Sequence, residues 1–100
     1  MKSLTDAIIE IAMRPASQVP DLPLDFAKLS LFDWMTCGIA GTNEPLAVKL
    51  RQLAAGEGGQ PVASVLGGMR VPPRMAALVN GATSHALDYD DTHFAHVGHL

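Results

Sequence analysis

The stretch "DFAKLSLFDWMTCGIAG", Asp25 to Gly41, decides the architecture of this chain. Wound as a helix, it is apolar on most of its circumference, which predicts a long helix buried on several sides. It starts near Asp25, after a loop "ASQVPDLPL" set by Pro20 and Pro23, and Gly41 is its C-terminal stop. Upstream, "SLTDAIIEIAMRP" predicts a first helix. Ser3 and Asp6 make a capping-box-like start, Leu4, Ile8, Ile11 and Ala12 share one face, and Pro15 ends it.

Downstream, "TNEPLAVKLRQLAAGEGG" predicts a third helix. Thr42 or Asn43 is its N-cap, Pro45 sits in its first turn, Leu46, Leu50 and Leu53 form its apolar stripe, and Gly56 closes it. Val62 to Leu66 and Met69 to Val71 flank Gly67-Gly68, the pattern of a short β-hairpin within residues 62–71. Pro72-Pro73 leads into a fourth helix, "RMAALVNGATSHALDYDD". Asn80-Gly81 lies in its middle, where glycine costs about 1 kcal/mol against alanine, so Gly81 is expected to admit the close approach of another backbone. The fold class is therefore mainly α: four helices and one hairpin in one small domain.

Composition narrows the function. The 100 residues are 48% hydrophobic, with few aromatics, as in a globular chain with an aliphatic core. A net charge of −3 and no clustered Lys/Arg face argue against nucleic acid. No apolar run approaches the roughly 20 residues that span a bilayer, and Asp6 and Glu10 break the first apolar stretch, so neither a membrane nor a secretory signal is expected. Cys37 is the one cysteine, which fits a reducing, cytoplasmic setting.

The titratable chemistry gathers at one end. All four histidines, His85, His93, His96 and His99, lie in "HALDYDDTHFAHVGHL" together with Asp88, Asp90 and Asp91. On a helix reaching residue 92, His85, Asp88 and Thr92 fall within about 60° of one another, while Asp90 and Asp91 point elsewhere. Carboxylates in a last helical turn oppose the macrodipole by about 0.3–1 kcal/mol each. For Asp90 and Asp91 a solvated helix end is the plain alternative to a functional role. Three histidines at three-residue spacing fan over about 120°, and Gly98 marks a turn that re-aims His99.

Two chemistries suit such a cluster. One is a metal site of imidazole and carboxylate, drawn from His93, His96 or His99 with Asp90 or Asp91, although no H-E-x-x-H or cysteine partner is present. The other is proton transfer by a histidine oriented by Asp and Thr. No Lys or Arg follows Arg74, so an anionic substrate needs cations from elsewhere. Taken alone, the residues favour a metal slightly.

"NGATSHALDYDDTH" followed by "GHL" resembles the MmgE/PrpD family, which includes 2-methylcitrate dehydratase, cis-aconitate decarboxylase and iminodisuccinate epimerase. "AKLSLFDWMTCGIAG" and "ASVLGGMRVPPRMAALVNG" are similar to that family's second helix and to its hairpin with the next helix. The resemblance implies that residues 1–100 are the leading part of a large all-helical domain, without the family's smaller lid domain. It implies a homodimer, a small polycarboxylate substrate, α-proton transfer without metal or organic cofactor, and substrate-holding cations further along the chain. It also implies that the isolated 100 residues are inactive and expose core-facing apolar surface.

Carried over by motif, Asp88 resembles an active-site aspartate, Thr92 a substrate-side hydroxyl and His99 the acid/base histidine. Leu100 stands where many members have proline, and the loop from Thr92 to His99 is one residue longer than in the decarboxylases. His96 and His93 therefore remain alternatives to His99, and His85, Asp90 and Asp91 remain secondary candidates. Dehydration of 2-methylcitrate is the representative activity; the epimerase and decarboxylase reactions, a metal-dependent His/Asp enzyme and an inactive fragment are the competitors.

Overall fold

The computed structural model describes residues 1–95 and 97–99. Among these, the order is α1 (Leu4–Ala12), a 3-10 turn (Ala16–Gln18), α2 (Asp21–Ala40), a 3-10 turn (Gly41–Asn43), α3 (Pro45–Glu57), β1 (Ala63–Val65), β2 (Met69–Val71) and α4 (Pro73–His85). The expected plan of four helices and one hairpin is met, and the chain is mainly helical.

The capping box at the start of α1 is formed in full. Ser3 Oγ accepts from the Asp6 amide and Asp6 Oδ2 accepts from the Ser3 amide, both at 3.1 Å. The hydrogen bonds from Ser3 hold the Asp6 carboxyl below its ordinary pKa. α2 begins four residues earlier than the prolines suggested. Pro23 falls in its first turn, where amides have no helical acceptor to lose, so it starts the helix instead of delaying it. α3 is capped by Glu44 and not by Thr42 or Asn43. Thr42 and Asn43 are taken up in the preceding 3-10 turn, where Thr42 Oγ1 donates to the Ile39 carbonyl at 2.8 Å. The helix runs through Gly56 to Glu57, and Gly58 takes the left-handed φ of 69° that stops it.

The core lies where α3, the hairpin and α4 meet. Ala54, Val65, Val71, Ala76 and Val79 are buried together, with Leu50, Ala63, Met69 and Met75 packed on them. The inward stripe of α3 is thus Ala47, Leu50 and Ala54, while Leu46 and Leu53 of the expected stripe are half exposed. Antiparallel pairing of Ala63 with Val71 and Val65 with Met69 sets the hairpin, whose turn uses Gly67 and Gly68 at φ of 96° and 98°.

Asn80 locks the hairpin to α4. Its Oδ1 accepts from the Leu66 amide at 2.8 Å and its Nδ2 donates to the Ser64 carbonyl at 3.0 Å. The expected outcome of Asn80→Ala is a loss of about 2 kcal/mol, from two hydrogen bonds of about 1 kcal/mol each. Urea unfolding followed by circular dichroism measures it.

Gly81, expected to admit a close backbone, has nothing near the place its Cβ would occupy. The close approach is at Gly41, where a Cβ would run into the Thr83 carbonyl oxygen of α4. α2 crosses α4 there, and only Cys37 and Gly38 of α2 are buried. The expectation that α2 is buried on several sides is therefore not met among the described residues. Phe26, Leu29 and Phe32 stand exposed, Phe32 by 71%, as do Leu4, Ile8 and Ile11 of α1. The radius of gyration of 16.4 Å exceeds the approximately 13 Å of a compact 100-residue domain for the same reason.

Candidate functional site

α4 ends at His85, short of the residue 92 that the sequence pattern allowed. The Asp88 amide closes a turn onto the His85 carbonyl at 2.9 Å, and Asp88 has a φ of 55°. Aspartate tolerates that left-handed conformation better than most residues. The single helical face proposed for His85, Asp88 and Thr92 does not exist. The turn keeps His85 and Asp88 within 3.9 Å, and Thr92 lines a cleft beside them with Asp90 and His99.

The return is made by an antiparallel bridge between His93 and Gly98, with His93 N to Gly98 O at 2.7 Å. Val97 stands at a φ of 53°, a strained conformation for a β-branched residue, and this re-aims the chain before His99. His99 then reaches back to the end of α4. Its ring meets that of His85 edge-on, with centroids 4.5 Å apart. His99 Nε2 lies 3.3 Å from Asp88 Oδ1, and its Nδ1 lies 3.2 Å from Asp90 Oδ2 and 2.8 Å from the Asp91 carbonyl oxygen.

Asp90 is the centre of this network, although helix geometry had turned it away and offered a solvated end as its role. Its side chain is only 14% exposed, and its Oδ1 lies 2.9 Å from His85 Nδ1. Desolvation works to raise the Asp90 pKa, but the hydrogen bond from His85 and the charges of His85 and His99 prevail and hold it below the usual value. The same bond to Asp90, with the Asp90 charge, raises the His85 pKa against desolvation.

The sign of the resulting stability follows from both shifts. The His85 contribution is complete below its ordinary pKa of 6.5 and fades as pH rises through the raised value. The Asp90 contribution is present above 3.8 and fades as pH falls through the lowered value. The pair therefore stabilises the fold most between those limits. Thermal unfolding at about pH 5.5 and about pH 8 is expected to show a fall in Tm that Asp90→Asn reduces.

The other candidates lie around this network. Thr92, His93 and Asp91 line a cleft of about 320 Å³ together with Asp90 and His99. The Asp91 carboxylate is exposed, and its carbonyl serves His99. His93 is exposed, and its Nδ1 accepts from the Ala95 amide at 3.2 Å. His96 and Leu100 lie outside the described residues. Among the described residues, the donors that converge are thus His85, Asp88, Asp90 and His99. Of the set drawn from the sequence, His99 and Asp90 belong to this group and His93 and Asp91 do not.

The opposite wall is α2, which supplies Ser30, Asp33 and Trp34. Reading the histidine-rich end alone missed them. The available signal was Ser30 and Asp33, two polar residues three apart and set among Leu29, Leu31, Phe32 and Trp34. One turn on, the Cys37 thiol is buried 4.0 Å from Asp33 Oδ2, and burial with the charges of Asp33 and Asp90 pushes its pKa up. A neutral thiol is a packing group, not a nucleophile. No Lys or Arg lines the cleft among the described residues.

Comparison with known families matches residues 10–100 to the MmgE/PrpD N-terminal domain. The chain belongs to the MmgE/PrpD family. The match covers α2, α3, the hairpin, α4 and the whole histidine–aspartate end, so all the cleft residues lie within the MmgE/PrpD N-terminal domain. MmgE/PrpD proteins are generally lyases and isomerases. Comparison with curated proteins and with solved structures gave no match. No helix among the described residues is long and apolar enough to cross a membrane.

Proposed function

We propose that this chain supplies the acid/base wall of a cofactor-independent MmgE/PrpD lyase or isomerase acting on a small di- or tricarboxylate. The observation that carries the reading is the His99 imidazole, two-thirds covered between Asp88 and Asp90 and opening on the cleft that Thr92 lines. An imidazole takes or gives a proton near neutral pH, and two carboxylates beside it stabilise the imidazolium it becomes. In this reading His99 removes the proton α to a substrate carboxylate. The electron pair left on carbon expels a β-hydroxyl, protonated as it leaves, as in the dehydration of 2-methylcitrate. Epimerisation uses the same first step and returns the proton to the opposite face; a decarboxylase variant protonates the carbanion left by CO2.

Asp88 and Asp90 hold the ring, and Thr92 hydrogen-bonds the substrate. The cations that neutralise the substrate come from segments outside residues 1–100 or from a second chain, because the cleft wall described here has none. The exposed apolar faces of α1 and α2 fit a piece of a larger helical assembly that covers them; in this reading that assembly is a cytoplasmic homodimer. The direct test incubates the full-length protein with 2-methylcitrate and related di- and tricarboxylates in D2O and follows α-deuteration and product by NMR. Deuteration or product from a polycarboxylate is the expected result. Inertness towards the whole class overturns the reading.

A further inference from the structure

We infer that His85, Asp88, Asp90 and His99 form a binding site for one divalent cation of the zinc type. One donor atom from each of the four lies within 4.8 Å of all the others. Donors around a tetrahedral ion bound at about 2.1 Å stand roughly 3.4 Å apart. The observed pairs are close to that: His99 Nε2 to Asp88 Oδ1 is 3.3 Å, His85 Nδ1 to Asp90 Oδ1 is 2.9 Å, and His85 Nδ1 to Asp88 Oδ1 is 3.9 Å. The remaining pairs lie within 4.8 Å, so binding one ion requires the four side chains to draw together.

The arrangement of protons points the same way. His99 Nδ1 lies 2.8 Å from the Asp91 carbonyl oxygen, which can only accept, so Nδ1 carries a hydrogen. In a neutral ring Nε2 is then a lone pair aimed at a carboxylate oxygen. Two acceptors stay that close only around positive charge, either a second proton on His99 or a metal ion. A ring fixed through one nitrogen by a backbone carbonyl, with the other nitrogen free for the ion, is how proteins orient metal-binding histidines.

Two imidazoles with two carboxylates favour zinc or cobalt over calcium or magnesium, which prefer all-oxygen sites. Four protein ligands close the coordination shell, so the ion is held and not left open for catalysis. Occupancy would remove His99 from proton transfer, making the ion an inhibitor. The cation site rests on the four-donor geometry alone; its inhibitory effect rests on the proposed role of His99.

The test is a cobalt(II) titration of the protein, followed by visible absorption. Saturation at one cobalt per chain is expected, with the intense bands of four-coordinate cobalt, reversed by one equivalent of zinc. His85→Asn and Asp88→Asn each weaken binding at least about tenfold. The Asp88 side chain is 78% exposed, so its loss leaves the fold intact. Asp91→Asn keeps the carbonyl that serves His99 and leaves the affinity unchanged. A pale six-coordinate spectrum, no break at one equivalent, or unaltered affinity in Asp88→Asn overturns the inference.

Discussion

Replacing Gly41 with valine is expected to cost about 3 kcal/mol and to broaden or abolish the cooperative unfolding transition. At Gly41 the nearest atom to a new Cβ is the Thr83 carbonyl oxygen, part of the α4 backbone, which cannot rotate aside. Relief requires α2 and α4 to separate at the crossing where Gly41, Thr83 and Ser84 are all buried. Overpacking of this kind sits at the upper end of its usual range, because backbone moves only with its whole helix. The paired control is Gly81→Ala. Nothing lies near its Cβ position, so the helix propensity of alanine raises stability by about 0.5–1 kcal/mol. Urea unfolding of both variants reads the contrast, and a destabilised Gly81→Ala beside a tolerant Gly41→Val would reverse the assignment of the contact.

These two glycines show how far the sequence could be read. Both are visible as punctuation within helical segments, but periodicity carries no record of what faces them. The capping box of Ser3 and Asp6 and the Gly67-Gly68 hairpin were legible because local hydrogen bonding and φ decide them. The start of α3 was not, because a 3-10 turn takes up Thr42 and Asn43 and leaves Glu44 at the N-cap position. The exposure of α2 was not legible either: an apolar helix states that it needs cover, not which segment provides it.

The site divides in the same way. That histidines and aspartates gather at the end of the chain could be read directly; His99 lines one cleft with Thr92 and lies 3.3 Å from Asp88. The route was misread. "HALDYDD" keeps a helical pattern, yet α4 stops at His85, and the chain turns through Asp88 at its left-handed φ to put Asp90 in the centre. Periodicity does not register where a helix leaves off.

His99→Ala in the full-length protein is expected to lower kcat by about 10²–10⁴ with little change in KM, the usual share of a general acid/base. The side chain is not part of the core between α3, the hairpin and α4, so the variant keeps its helical circular dichroism. Two companions separate acid/base work from mere support. His93→Ala, on the rim of the same cleft, is expected to lose less than about tenfold, because its Nδ1 is engaged with the Ala95 amide. Asp90→Asn keeps the shape of the network but removes the charge shared by His85 and His99, so kcat falls by an intermediate factor. Deuterium incorporation at the substrate α-carbon makes the distinction sharp, since it reports the first proton transfer alone. Near-normal exchange in His99→Ala with loss in His93→Ala would move the proton to His93 and leave His99 as a support. Loss in both His99→Ala and Asp90→Asn, with His93→Ala active, is what a ring held between Asp88 and Asp90 requires.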